Sequence, residues 1–147
     1  MSRLQIVPGQ SFDDLLTAAP GALEADLEMR RRIQEGIGSR WYALIGVAVA
    51  GLLRCDRFAE DLRGPLASSM AAQLAADWTK VPLSDDEKAI LAYTEKGTLD
   101  EASVRRGDVE GLRQAGLADQ QILLVATAIA YHNYSIRMAA AFNVNPR

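Results

Sequence analysis

The feature that most constrains this chain is an apolar run from Trp41 to Leu53, which leads to the chain's only cysteine, Cys55. The run is shorter than the roughly 20 residues that a membrane-spanning helix needs, so it predicts a helix buried in a folded core. Gly46 and Gly51 lie within it, and such small residues let neighbouring helices approach closely. Because the run is apolar all round, it needs packing partners on every side, and another subunit could cover part of it.

The length of the chain limits the number of domains, and its net charge limits the kinds of partner it can bind. The 147 residues, of which 49% are hydrophobic, suit a single domain with a sizeable core. The net charge of -3 and the absence of a dense basic stripe argue against nucleic acid and anionic lipid as partners. The one basic triplet, residues 30–32, is flanked by acidic residues at helical spacing and predicts a solvated charged face.

The number of cysteines and the N-terminal residues indicate the cellular compartment in which the protein is expected. A single cysteine excludes an internal disulfide and fits a reducing compartment. The start, MSRLQIVPGQ, lacks the basic and then apolar pattern of a signal peptide. We therefore expect a cytoplasmic protein, with neither a cofactor nor a membrane partner.

Helix start and stop signals divide the chain into about six to seven helices, with no strands. Ser11 with Asp14, and Ser84 with Glu87, form capping-box patterns, which are typical of helix starts. Gly97 is expected to end the helix that begins at Ser84. The predicted helices span residues 11–18, 22–35, 41–53, 66–78, 84–97, 106–115 and 119–142, with a further turn or two over 58–63.

The second half of the chain carries a recognisable pattern. A short helix is followed by GL-x-D and by a long helix containing YxN-x-x-x-R, which supply Gly116, Leu117, Asp119, Tyr131, Asn133 and Arg137. With the apolar run that enters Cys55, these residues make the chain resemble the AhpD-like, peroxidase-related proteins of the carboxymuconolactone decarboxylase superfamily. The resemblance covers residues 40–144, and residues 1–38 match loosely. It implies one all-α AhpD-like domain over residues 1–147 that assembles as a homotrimer or homohexamer.

The resemblance also implies a thiol peroxidase site in the active members of the superfamily. That site has a C-x-x-C motif, a His four residues beyond the second Cys, and a proton-relay Glu one helix length upstream. Cys55 matches the first cysteine, whereas Phe58, Leu62 and Ala43 stand where the second cysteine, the His and the Glu would be.

Those differences remove the groups that the dithiol reaction needs. Reduction of a peroxide by a dithiol requires a second thiol to resolve the sulfenic acid, and an acid or base to move protons. The chain is therefore expected to be at most a one-cysteine peroxidase, with an external thiol as reductant and a small-molecule peroxide as substrate. The alternative is that Cys55 is only a small residue at a helix junction.

The last predicted helix supplies a second set of candidates. His132 is either an acid/base or ligand-binding group, or a histidine satisfied at a helix or subunit interface. Asn133 and Arg137, one turn apart, either bind a carboxylate or form a buried network between helices, and Tyr131 could line either arrangement. Because His132 has no second His or Cys at ligand spacing, no zinc site is expected.

Three functions remain open from the sequence. The first is a one-cysteine peroxidase, which predicts an exposed Cys55. The second is a non-redox protein, binding a small organic acid or acting as a decarboxylase, which predicts a pocket that contains both His132 and Arg137. The third is a catalytically silent oligomer with a buried Cys55.

Overall fold

The computed structural model describes residues 4–146, and the secondary structure over that range is helical, as predicted. Three 3-10 helices, at Asp56–Phe58, Trp78–Lys80 and Glu101–Ser103, join some of the α-helices. The α-helices are α1 (Phe12–Leu16), α2 (Ala22–Ile37), α3 (Ser39–Leu52), α4 (Ala59–Leu62), α5 (Ser68–Ala76), α6 (Asp85–Leu99), α7 (Arg106–Gln114) and α8 (Asp119–Ala141). None of the helices in this range combines the length and apolarity needed to cross a membrane.

Helix α3 lies at the centre of the fold, which confirms the prediction of a buried helix. Residues 42–50 are all buried, and α5, α6 and α8 supply most of the packing around them. A helix that is apolar all round requires this kind of enclosure. Because a single chain already buries these residues, the packing of α3 does not require another subunit.

Two glycines allow the neighbours of α3 to come close. A Cβ atom at Gly51 would lie 2.1 Å from the backbone oxygen of Ala75, at the end of α5. A Cβ atom at Gly46 would lie 2.7 Å from Cε1 of His132 on α8. The absence of a side chain at both positions therefore fixes how near α5 and α8 pack to the central helix.

The starts of α1 and α6 agree with their predicted caps, whereas the predicted end of α6 does not. Ser11 Oγ accepts from the Asp14 N–H at 3.2 Å, and Glu87 accepts from the Ser84 N–H at 3.2 Å. Gly97 does not end α6, which continues to Leu99. The two residues added to the helix bury the side chain of Thr98 against α8, so tertiary packing outweighs the local preference of glycine.

The two ends of the described chain meet. The Phe12 N–H donates to the Asn145 carbonyl at 2.7 Å, and the Asn145 N–H donates to the Gln10 carbonyl at 2.9 Å. These bonds hold the segment before α1 against the segment after α8.

Candidate functional site

Cys55 lies in the turn that follows α3, and its side chain is half-buried. The Cys55 N–H donates to the Ala50 carbonyl at 2.8 Å, and its thiol donates weakly to the Leu53 carbonyl at 3.6 Å. The preceding residue, Arg54, has a φ of 59°, a left-handed conformation that non-glycine residues seldom adopt. The backbone therefore fixes the position of the thiol.

The three positions that the resemblance assigns to the rest of the redox site are buried and apolar. Ala43 and Phe58 are each 1% exposed and Leu62 is 4% exposed. The guanidinium of Arg57 lies over the Phe58 ring, 4.1 Å from its centroid. Side chains of this kind neither resolve a sulfenic acid nor carry a proton, so Cys55 has no protein partner for dithiol chemistry at these positions.

His132 is buried between α8 and α3. Its side chain is 1% exposed, and Nε2 lies 3.1 Å from the Tyr42 carbonyl oxygen. The imidazole packs 4.5 Å from the centroid of the Tyr42 ring and fills the space beside Gly46. The structure thus places His132 in the core at a helix interface.

Tyr131 belongs to a buried polar network that joins three helices. Its hydroxyl donates to Asp26 Oδ2 at 3.0 Å, and Arg30 Nε donates to the same oxygen at 2.7 Å. Arg30 also pairs with Asp13 of α1. Burial raises the pKa of Tyr131, so its phenol remains a hydrogen-bond donor to Asp26.

This network corrects one expectation for the basic triplet. Arg31 and Arg32 form exposed ion pairs on α2, as predicted for a solvated face, but Arg30 turns inward to Asp26, which is 8% exposed. Sequence analysis missed the buried pair because the i,i+4 spacing of Asp26 and Arg30 is equally typical of a surface pair.

Asn133 and Arg137 lie on the other side of α8. The amide nitrogen of Asn133 donates to Thr98 Oγ1 at 3.1 Å and to the Ile129 carbonyl at 2.9 Å. Arg137 Nη2 donates to Asn133 Oδ1 at 3.4 Å, which is a long hydrogen bond. Among residues 4–146, no carboxylate lies within ion-pair distance of Arg137.

These two residues line a pocket of about 570 Å³ between α6, the 3-10 helix after it, and α8. We call it the Arg137 pocket. Its volume falls within the range of small-molecule sites. The pocket is lined by Tyr93, Gly97, Thr98, Glu101, Val104, Ala126, Ile129, Ala130, Asn133 and Arg137.

The structure therefore brings together only two of the predicted site residues. Asn133 and Arg137 share the pocket, whereas His132 and Tyr131 face the core and Cys55 lies at the end of α3. His132 does not line the Arg137 pocket, so that pocket does not combine the two residues as the organic-acid hypothesis required.

Several solved structures have similar folds, of which three are described, although no protein-family model and no curated protein matches the chain. An uncharacterized peroxidase-related protein from Silicibacter sp. TM1040 has a TM-score of 0.76 at 22% identity, over 88% of this chain and 74% of that chain. An uncharacterized peroxidase-related protein from Ralstonia eutropha JMP134, described as an alkylhydroperoxidase AhpD core, has a TM-score of 0.73 at 18% identity. This match covers 96% of this chain and 91% of that chain.

The third structure is a protein of unknown function from Agrobacterium tumefaciens, for which an AhpD-type role in antioxidant defence has been suggested. Its TM-score is 0.71 at 22% identity, and the match covers 86% of this chain and 91% of that chain. At such identities the likeness concerns the fold, and all three matches agree on it. The chain therefore has the AhpD-like fold of the peroxidase-related proteins that its sequence resembles.

Proposed function

We propose that this chain is a member of the AhpD-like, carboxymuconolactone decarboxylase superfamily that lacks the dithiol peroxidase reaction and binds a small organic acid in the Arg137 pocket. The observation that carries the proposal is the position of Arg137, which lines the pocket without a carboxylate partner in the described chain.

The environment of Arg137 suits a carboxylate ligand. A guanidinium is planar and binds carboxylates through two parallel hydrogen bonds. Arg40 already uses its guanidinium in this way, with Nε 2.6 Å from Glu87 Oε2. Within residues 4–146, Arg137 forms one side-chain hydrogen bond, to Asn133. Asn133 is itself fixed by Thr98, so the pocket contains an oriented donor for an acid.

The apolar lining supports binding of the rest of such a molecule. Val104, Ala126 and Ile129 line the same pocket and offer hydrocarbon surface next to the guanidinium. Pockets with mostly apolar walls and a few convergent polar groups are typical of small-molecule sites. An acid with a short hydrocarbon body matches both parts of this lining.

Calorimetric titration with short carboxylic acids, such as butyrate, caproate and benzoate, tests the proposal. Arg137→Gln should weaken binding by about tenfold or more, since it removes a charge-assisted pair of hydrogen bonds. Arg106→Gln is the matched control, because Arg106 is exposed on α7 and outside the pocket. Absence of binding to the unmodified protein, or equal affinity in the Arg137 variant, contradicts the proposal.

A second candidate function is a one-cysteine peroxidase. It is favoured by the half-buried thiol of Cys55, which follows α3, where the sequence resemblance leads us to expect the first cysteine of the family motif. In this reaction the thiolate attacks the peroxide, giving a sulfenic acid and an alcohol, and two molecules of external thiol then restore the cysteine as their disulfide and water form.

Thiol titration and intact mass after limited peroxide treatment test this candidate, with Cys55→Ser as the control. Selective gain of one oxygen at Cys55, reversed by added thiol, supports it. A thiol that titrates only after denaturation overturns it, since a peroxide would then have no access to the sulfur.

A homotrimer or homohexamer and a cytoplasmic location also belong to the proposal. Exposed apolar side chains on α2 and α8 support assembly, with Leu27 45% and Leu123 67% exposed in the single chain. Light scattering after gel filtration should give three or six times the mass of the chain, and a monomer at all concentrations would contradict assembly.

A further inference from the structure

The Arg137 pocket contains charges of both signs. Glu101, the first residue of the 3-10 helix after α6, lines the pocket together with Arg137 on α8. Its side chain is exposed, and it has no ion pair or side-chain hydrogen bond within residues 4–146. Two residues of opposite charge therefore line one cavity, and neither forms an ion pair within residues 4–146.

We infer that the ligand of this pocket carries an ammonium group as well as a carboxylate, so that it binds Arg137 and Glu101 at the same time. The inference rests on the proposed function, because Arg137 must hold the carboxylate. A simple anion would satisfy Arg137 but would place its negative charge in the same pocket as Glu101. A zwitterion gives each side chain a partner of opposite charge.

The position of the two charges indicates how the ligand is built. Glu101 follows α6 and Arg137 lies near the end of α8, so the charges belong to different walls of the pocket. Val104, Ala126, Ile129 and Ala130 add apolar lining to these walls. A hydrocarbon chain with the carboxylate at one end and the ammonium group at the other gives each charged residue a partner and places its hydrocarbon part against the apolar lining.

The prediction is tested with matched pairs of compounds that differ only in the amino group. The ω-amino acids γ-aminobutyrate, δ-aminovalerate and ε-aminocaproate are compared by calorimetry with butyrate, valerate and caproate. For at least one of the three chain lengths, the amino acid should bind about threefold to tenfold more tightly than the plain acid of the same length. This is the gain expected from one partly exposed ion pair.

Glu101→Gln should remove that difference while leaving the affinity for the plain acid equal or higher, because it deletes a negative charge from the pocket. Glu24→Gln is the matched control, since Glu24 is exposed on α2 and does not line the pocket. It should leave both affinities unchanged.

The outcomes separate this inference from the proposed function. If the plain acids bind in an Arg137-dependent manner and as tightly as the amino acids at every length, the inference is overturned and the proposed function stands. A preference for the amino acid that survives in Glu101→Gln also overturns it. If the unmodified protein binds neither series, both the inference and the proposed function are overturned.

Discussion

The regions around Phe58 and Arg137 differ in the side chains they contain and in how far those side chains are buried. Around Cys55, the three positions that the sequence resemblance assigns to the redox motif hold buried apolar residues, and the guanidinium of Arg57 lies over the Phe58 ring. Around Arg137, polar side chains line an open pocket and two charges have no ion-pair partner in the described chain. The comparison teaches that positions inside this fold are filled by apolar packing, whereas the open pocket leaves charged side chains available to a ligand.

The largest expected effect comes from removing the aromatic side chain beside Cys55. Phe58→Ala should lower the free energy of unfolding by about 3–5 kcal/mol, because it leaves a cavity in a fully packed site. Tyr93→Ala, in the wall of the open pocket and half-buried, should cost clearly less. Urea unfolding measures the loss of unfolding free energy in both variants. Equal losses would contradict the difference between the two regions.

A pair of glycine substitutions sharpens the same comparison. Gly51→Ala should destabilise the protein by about 1–3 kcal/mol, since the added Cβ atom would lie 2.1 Å from the Ala75 backbone oxygen. Gly97→Ala adds a Cβ atom 3.7 Å from Ile129 Cγ2, an ordinary contact, inside a helix. It should stabilise by about 0.5–1 kcal/mol. Thermal unfolding measures both, and a stabilising Gly51→Ala would show that α3 and α5 are packed loosely.

The smallest expected effect concerns the ion pair that joins α6, one wall of the Arg137 pocket, to the central helix α3. Glu87 joins α6 to Arg40 at the start of α3. Burial acts to raise the pKa of Glu87, but hydrogen bonds from Arg40 and Ser84 outweigh it and lower the pKa below the usual value of 4.5. Because the folded-state pKa is depressed, this stabilisation is present above about pH 4.5 and is lost as the pH falls through the folded-state value.

The expected pH effect is small because the Arg40 side chain is 51% exposed. The unmodified protein should exceed Glu87→Gln in unfolding free energy by no more than about 1 kcal/mol at neutral pH, and the difference should vanish in acid. Chemical unfolding at several pH values makes the comparison, with Glu24→Gln as the control. A difference that persists unchanged in acid would show that the carboxylate charge is not responsible.

Features encoded by neighbouring residues were predicted from the sequence. The buried helix α3 followed from its apolar run, and the starts of α1 and α6 followed from the caps at Ser11 and Ser84. The end of α6 was predicted wrongly at Gly97, because the bond between Thr98 and Asn133 depends on a helix much later in the chain. Tertiary contacts of this kind leave no local pattern.

The part of the candidate site that lies on one helix could be predicted, whereas the part that depends on packing between helices could not. Asn133 and Arg137 are one helical turn apart, so their common face could be inferred from spacing alone. Tyr93 and Glu101 reach the pocket only because α6 packs against α8. His132 and Tyr131 share the long helix with Arg137 but point to the core, since adjacent helical positions face different directions.

The bonds between Asn145 and residues 10–12 bear on how this chain can be re-engineered. Because these segments lie side by side, a short linker from Asn145 to Gln10, in place of the residues outside 10–145, could close the polypeptide into a ring, and new termini could be opened at the exposed turn of Gly64 and Pro65. Such a circular permutant would begin with α5 and run through α6 and α8 early in synthesis. Both walls of the pocket would then be synthesised before α3, so such a permutant would show whether the pocket can assemble without the helix against which α6 and α8 pack.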